Sequence, residues 1–151
     1  MARAAASVYL RTMRSKKVYI TGSVFFAFVD RNHPKHPVAE AYFRYFAQEG
    51  WHLYTAGFTL TKTYGQLQKF ISHSIAKEFL RSIYLGNIEI VYPDEPATKA
   101  AAKLILGSQS PELDLEQALI NVISDRHQIL FVCSLDYSQY FFGIQQFSLP
   151  Y

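Results

Sequence analysis

Apolar and polar positions along this chain fall into two kinds of block: short β-branched or aromatic runs, and longer stretches with helical spacing. Val18-Tyr-Ile20 reads as a buried strand. It passes through Thr21-Gly22-Ser23 into an apolar run, Val24 to Val29, that is too long for one strand and reads as a helix. Asp30-Arg-Asn-His-Pro-Lys-His-Pro is a turn-rich loop, since neither proline can sit inside a helix. Pro37 is placed to open a second helix through Gln48, with Ala39, Tyr42, Phe43 and Phe46 on one side and Gly50 as its stop. Trp51 to Thr55 is a second strand. Gly57 and Thr59 then introduce a helix through Lys62, Tyr64, Leu67 and Phe70. Ser72 or Ser74 caps the next, Ile75 to Leu85, whose apolar stripe is Phe79, Leu80, Ile83 and Tyr84.

Gly86-Asn87 closes that helix, and Ile88 to Tyr92 reads as a third strand. Asp94-Glu-Pro starts another helix with acids at its positive end, and Gly107-Ser-Gln-Ser-Pro breaks it. Asp114 caps a helix over Leu115 to Arg126. Ile129 to Leu135 is a fourth strand, a near-continuous apolar run of the kind parallel sheets bury on both faces. Tyr140 to Ile144 predicts a short turn or helix, and Gln145 to Leu149 an edge strand stopped by Pro150. Strands separated by helices predict an α/β, three-layer sandwich around a central parallel sheet of about four to five strands. In such sheets, chemistry sits at the carboxyl ends of the strands, which points to the neighbourhood of Thr21 to Ser23.

Composition narrows the class. At 151 residues the chain predicts one domain, and with 50% hydrophobic residues it is not disordered over most of its length. Eleven Tyr and twelve Phe exceed what one small core needs, so some are expected to cover a partner surface. The net charge of +3 is compatible with nucleic acid without arguing for it. Residues 1 to 17 hold Arg3, Arg11, Arg14, Lys16 and Lys17 and no acid, reading as a basic N-terminal extension over 1–16 before a domain over 17–151. The lone Cys133 excludes an intramolecular disulfide and reads as a buried strand thiol. No apolar run reaches a membrane span and no signal-peptide core is visible, so the expected compartment is the cytoplasm. His33 and His36 lie on a Pro-rich loop without partners at ligand spacing, so a metal there is not expected.

The order of these pieces resembles the PIN domain, the fold of many ribonucleases and of the toxins in toxin–antitoxin pairs. The pieces are Val18-Tyr-Ile-x-x-Ser-Val into an apolar helix, Asp30-Arg-Asn-x-Pro before a helix, and Leu60-Thr-Lys-Thr in the third helix. Gln117-Ala-Leu-Ile in a late helix, Val132-Cys-Ser-Leu-Asp136 at a strand end, and Phe141 and Gly143-Ile144 beyond complete the set. The resemblance implies four acidic positions in an active nuclease. Three of them hold Thr21, Lys62 and Gln117 here, and only Asp136 is acidic; Ser23 matches the hydroxyl residue two positions after the first acid.

Mg²⁺ and Mn²⁺ are hard ions held by clustered carboxylates, and in such sites they polarise phosphate and activate water. Two neutral side chains and an ammonium in place of three acids leave these four positions without net charge. No metal or other cofactor is therefore expected. Glu116, the neighbouring acid, is not expected to rescue the site, because one residue along a helix turns a side chain by about 100°. The remaining pocket of Thr21, Ser23, Lys62, Gln117 and Asp136 reads first as a stitched relic in which Lys62 pairs with Asp136, and second as an anion site.

The leading expectation is a degenerate PIN-like protein, non-catalytic and homodimeric, that binds RNA or a protein partner and has no membrane association. The alternatives are a Mg- or Mn-dependent endoribonuclease acting on single-stranded RNA, of the toxin type, and an inactive toxin relative that sequesters an antitoxin.

Overall fold

A computed structural model of the chain describes residues 16–136 and 143–150. The basic extension up to residue 15 and most of the turn expected at Tyr140 to Ile144 lie outside the described residues. The described elements are β1 (Lys17–Ile20), α1 (Gly22–Val29), α2 (His36–Glu49), β2 (His52–Ala56), α3 (Gly57–Phe70) and α4 (His73–Leu85). They continue with β3 (Ile88–Val91), α5 (Glu95–Gly107), α6 (Leu115–His127), β4 (Phe131–Cys133) and β5 (Gln145–Gln146).

All five strands run parallel in the order β3-β2-β1-β4-β5, so β1 is the middle strand. Strand side chains alternate between faces. Val18 and Ile20 accordingly join the core under α1 to α4, with Val24, Phe25, Phe46, Leu67 and Phe79, while Tyr19 joins Tyr54, Ile120, Ile123 and Val132 under α6. The result is the expected three-layer α/β sandwich. A smaller cluster of Ala101, Leu113, Ala118 and Leu119 seals α5 against α6.

Local chemistry moves several boundaries. Ser72, not Ser74, caps α4: its side chain accepts from Ile75 N at 3.1 Å, which starts the helix at His73. The fourth strand is shorter than its apolar run. Gln128 takes a left-handed φ of 57° after α6, and Ile129 N is bonded to Ser124 O, so the run begins by closing a helix. At the other end, Leu135 N bonds Ser23 Oγ and Asp136 N bonds Ser134 Oγ, which takes both residues off the ladder. Gly22 is required by packing, because a Cβ there would meet Thr63 Oγ1 of α3 at 2.7 Å. That close approach brings α3 over the carboxyl end of β1. No helix among the described residues is long and apolar enough to cross a membrane.

Candidate functional site

The carboxyl ends of β1 and β4 border a cavity of about 500 Å³, whose polar lining includes Ser23, His33, Lys35, Lys62, Gln66, Glu116 and Asp136. A parallel sheet gathers its strand ends and following helices at one edge, so residues from remote parts of the chain converge there.

Thr21 is not on this surface. It is 1% exposed, its Oγ1 donates to Cys133 O at 2.9 Å, and it lies 3.1 Å from Ser23 Oγ. Its hydroxyl therefore ties β1 to β4 and does not cap α1. Ser23 does line the cavity, but its Oγ accepts the Leu135 N–H at 3.0 Å and so fixes the turn that delivers Asp136.

Gln117 is also withdrawn. Asp114 and Gln117 form a capping box: Gln117 N donates to Asp114 Oδ1 at 2.8 Å, and Asp114 N donates to Gln117 Oε1 at 3.2 Å. This holds the Gln117 side chain, 4% exposed, against the helix end. The residue before it, Glu116, faces the cavity instead. The two residues point apart as a helix demands, but it is Glu116 that meets the site. Replacing Asp114 with alanine removes the cap and is expected to cost about 1 kcal/mol of stability in urea titration. A loss below a few tenths would mean that the box contributes nothing.

The partner of Lys62 is likewise Glu116 and not Asp136. Lys62 Nζ donates to Glu116 Oε2 at 2.8 Å, with the two side chains 56% and 20% exposed. This hydrogen bond is the main cause that raises the Lys62 pKa above the ordinary lysine value. The charges of Glu116, Asp114 and Asp136 add to it, and partial burial opposes it. The bond spans 54 residues of sequence and links α3 to α6.

Two further groups were not assembled into the site from the sequence. Lys35 Nζ donates to Leu135 O at 3.2 Å, and His33 Nδ1 accepts the Lys35 N–H at 3.0 Å, which leaves Nε2 as the protonated nitrogen of a neutral ring. His36 turns elsewhere, with Nδ1 2.9 Å from Ala27 O and Nε2 3.0 Å from Glu40. The Asp-x-x-Gln capping signature at Asp114 was the one sequence signal that would have directed Gln117 inward and Glu116 outward.

In the cavity Lys35 and Lys62 balance Glu116 and Asp136. Among the described residues no three His, Cys, Asp or Glu side chains converge on a common point, and the remaining residues contain none of these types. A divalent ion does not fit this set, because one of its two carboxylates already holds an ammonium at hydrogen-bond distance.

By sequence the chain matches no family model and no curated protein. By structure it matches the Mycobacterium tuberculosis toxin VapC20, described as cleaving the sarcin–ricin loop, with a TM-score of 0.69 at 16% identity over 79% of this chain and 89% of that one. It also matches VapBC2 from Rickettsia felis, solved with a DNA fragment from its promoter, with a TM-score of 0.65 at 10% identity over 86% of this chain and 96% of that one. The chain thus has the PIN-domain fold of the VapC toxins.

Proposed function

From that fold and its lysine-filled corner, we propose that the chain is a non-catalytic binding module of the cytoplasm that works as a homodimer on a protein partner. One observation carries the reading: the Lys62 ammonium lies 2.8 Å from Glu116 inside the cavity. Metal-assisted hydrolysis of a phosphodiester at such a corner uses a divalent ion to polarise phosphate and activate water. The chain lines that cavity with two carboxylates, of which Glu116 is bonded to the Lys62 ammonium, and with two cations beside them.

Charge and exposed surface favour protein over RNA. Twelve acids meet twelve of the fifteen Lys and Arg within the described residues, and the whole +3 excess is Arg3, Arg11 and Arg14. RNA binding through the described residues would draw on a surplus of phosphate-pairing cations that they do not have. Tyr84, Leu85, Tyr92, Phe70 and Leu106 are instead largely exposed, an apolar excess suited to a partner surface. The VapBC2 neighbour makes an antitoxin-like chain a reasonable model for that partner.

A second reading, the metal-dependent endoribonuclease, draws on Glu116 and Asp136 lining one cavity; it requires the half-exposed Lys62 side chain to swing aside. A nuclease assay on single-stranded RNA with Mn²⁺ separates the two. No metal-dependent cleavage above the Asp136→Asn background is expected, whereas cleavage that disappears in Asp136→Asn would establish the enzyme. Filter binding of the same RNA in chelator should give only weak retention that salt abolishes. Tight retention that survives added salt would make RNA the partner.

A further inference from the structure

Away from the strand-end cavity, α5 and α6 border a second hollow of about 410 Å³ that shares no residue with the first. Ala100 and Leu104, one turn apart on α5, and Val122 on α6 give it apolar walls. Asn121, 7% exposed, forms its floor, while Asp125 and Arg126 stand exposed at its rim. The Asn121 amide has one sensible orientation: Nδ2 donates to Gln117 O at 2.8 Å, and a carbonyl only accepts, so Oδ1 is the free end. That oxygen is buried without a hydrogen-bond partner among the described residues. Buried polar atoms are nearly always paired, so an orphaned acceptor marks a place where a donor is missing. The rim repeats the pattern. Among the described residues the Asp125 carboxylate enters no ion pair or hydrogen bond, whereas Arg126 Nη1 is bonded to Asp94 Oδ1 at 3.0 Å. The hollow therefore combines apolar walls with two acceptors that lack donors.

We propose that this hollow is a binding site for a small amine, an ammonium carried on an aromatic ring or a short alkyl group. The apolar body packs on Ala100, Leu104 and Val122. The ammonium brings three N–H donors and no acceptor, which matches Asp125 at the rim and Asn121 Oδ1 below it. The volume lies at the small end of the range for ligand pockets, suited to one ring with a short tail. A neutral alcohol offers one donor without charge, and an anion is repelled by Asp125. At about 5 Å from that carboxylate, a unit positive charge gains roughly fourfold in affinity even at the dielectric of bulk water. The site stands apart from the metal-free reading of the strand-end cavity and survives or fails independently of it.

Backbone amide NMR spectra of the full chain at neutral pH, recorded during titration with phenethylamine, phenylethyl alcohol and phenylacetate, test this. The variants are Asp125→Asn, Asn121→Leu and Ala100→Phe, with thermal melts to verify folding. Saturable shifts should be confined to α5 and α6, and the amine should bind about fourfold more tightly than the alcohol, with the acid weakest. Asp125→Asn should close the gap between amine and alcohol. Asn121→Leu should weaken both, and Ala100→Phe, which fills the hollow from its α5 wall, should abolish all binding. Asp125 is exposed, so its variant carries the test even if Asn121→Leu does not fold. No saturable shift at α5 and α6 with the amine would overturn the proposal. So would equal affinity for the three compounds, or a preference for the amine that persists in Asp125→Asn.

Discussion

Replacing Phe46 with alanine is expected to lower stability by about 3–5 kcal/mol, the range for emptying a buried aromatic site. Phe46 is 1% exposed and sits where α2 meets the sheet. Its ring centroid lies 4.7 Å from that of Phe147, 5.4 Å from Trp51, 6.0 Å from Tyr45 and 6.4 Å from Tyr42. These rings come from α2, the residue before β2 and the residue after β5, so no single element can move to fill the gap. For a domain of this size each kcal/mol moves the melting temperature by about 2–4 °C, which predicts a drop on the order of 10 °C. Phe70→Ala, at a largely exposed position, should change stability by no more than about 0.5 kcal/mol. Equal melting temperatures for the two variants would mean that the aromatic cluster is not the structural anchor described.

Cys133 is expected to react with a thiol reagent at least about a thousandfold more slowly in the native protein than in the denatured chain, as an open state of low population dictates. It is fully buried on β4, between β1 and β5, and its carbonyl accepts both the Thr21 N–H at 3.1 Å and the Thr21 hydroxyl at 2.9 Å. Burial pushes its thiol pKa well above the ordinary value, while the thiolate is the reactive form. Exposing the sulfur requires parting the centre of the sheet. The sign of the pH effect follows: below about pH 8.5 both native and unfolded thiols keep the proton, and above it only the unfolded thiol releases it, so stability falls as pH rises. Time-resolved labelling at neutral pH measures the rate directly, and stoichiometric reaction within the mixing time would refute the buried position. If opening is global, Phe46→Ala should speed labelling by about a hundredfold or more, since each 1.4 kcal/mol is a factor of ten.

The fold was legible where periodicity was strong. The Val18-Tyr-Ile strand, the α2 stripe of Ala39, Tyr42 and Phe46, the helix start at Asp94-Glu-Pro and the Asp114 cap all appear where the pattern put them. Strand ends were less legible: Ile129 and Leu135 are as apolar as the strand between them, yet their N–H groups bond to Ser124 O and Ser23 Oγ. Hydropathy cannot distinguish a ladder bond from a bond to a serine hydroxyl or a helix carbonyl.

The site was half legible. Ser23, Lys62 and Asp136 line the cavity, whereas Thr21 and Gln117 are buried beside it and Glu116, His33 and Lys35 complete the lining. Position 117 was misread because spacing counts residues but not directions. The capping box decides that one of two adjacent side chains closes the helix end while the other meets the cleft.

The sequence by itself determined the parallel α/β order, an uncharged Thr21 at the end of the first strand, a lysine at position 62 in a helix, and Asp136 after a buried strand. Those follow from residue type and short-range period, which a linear chain carries in full. Only the tertiary structure decided that Glu116 faces the cavity and that Lys62 pairs with it instead of Asp136. An ion pair depends on an approach of a few ångströms between elements far apart in the chain, and the packing of two helical layers over one sheet edge sets that distance.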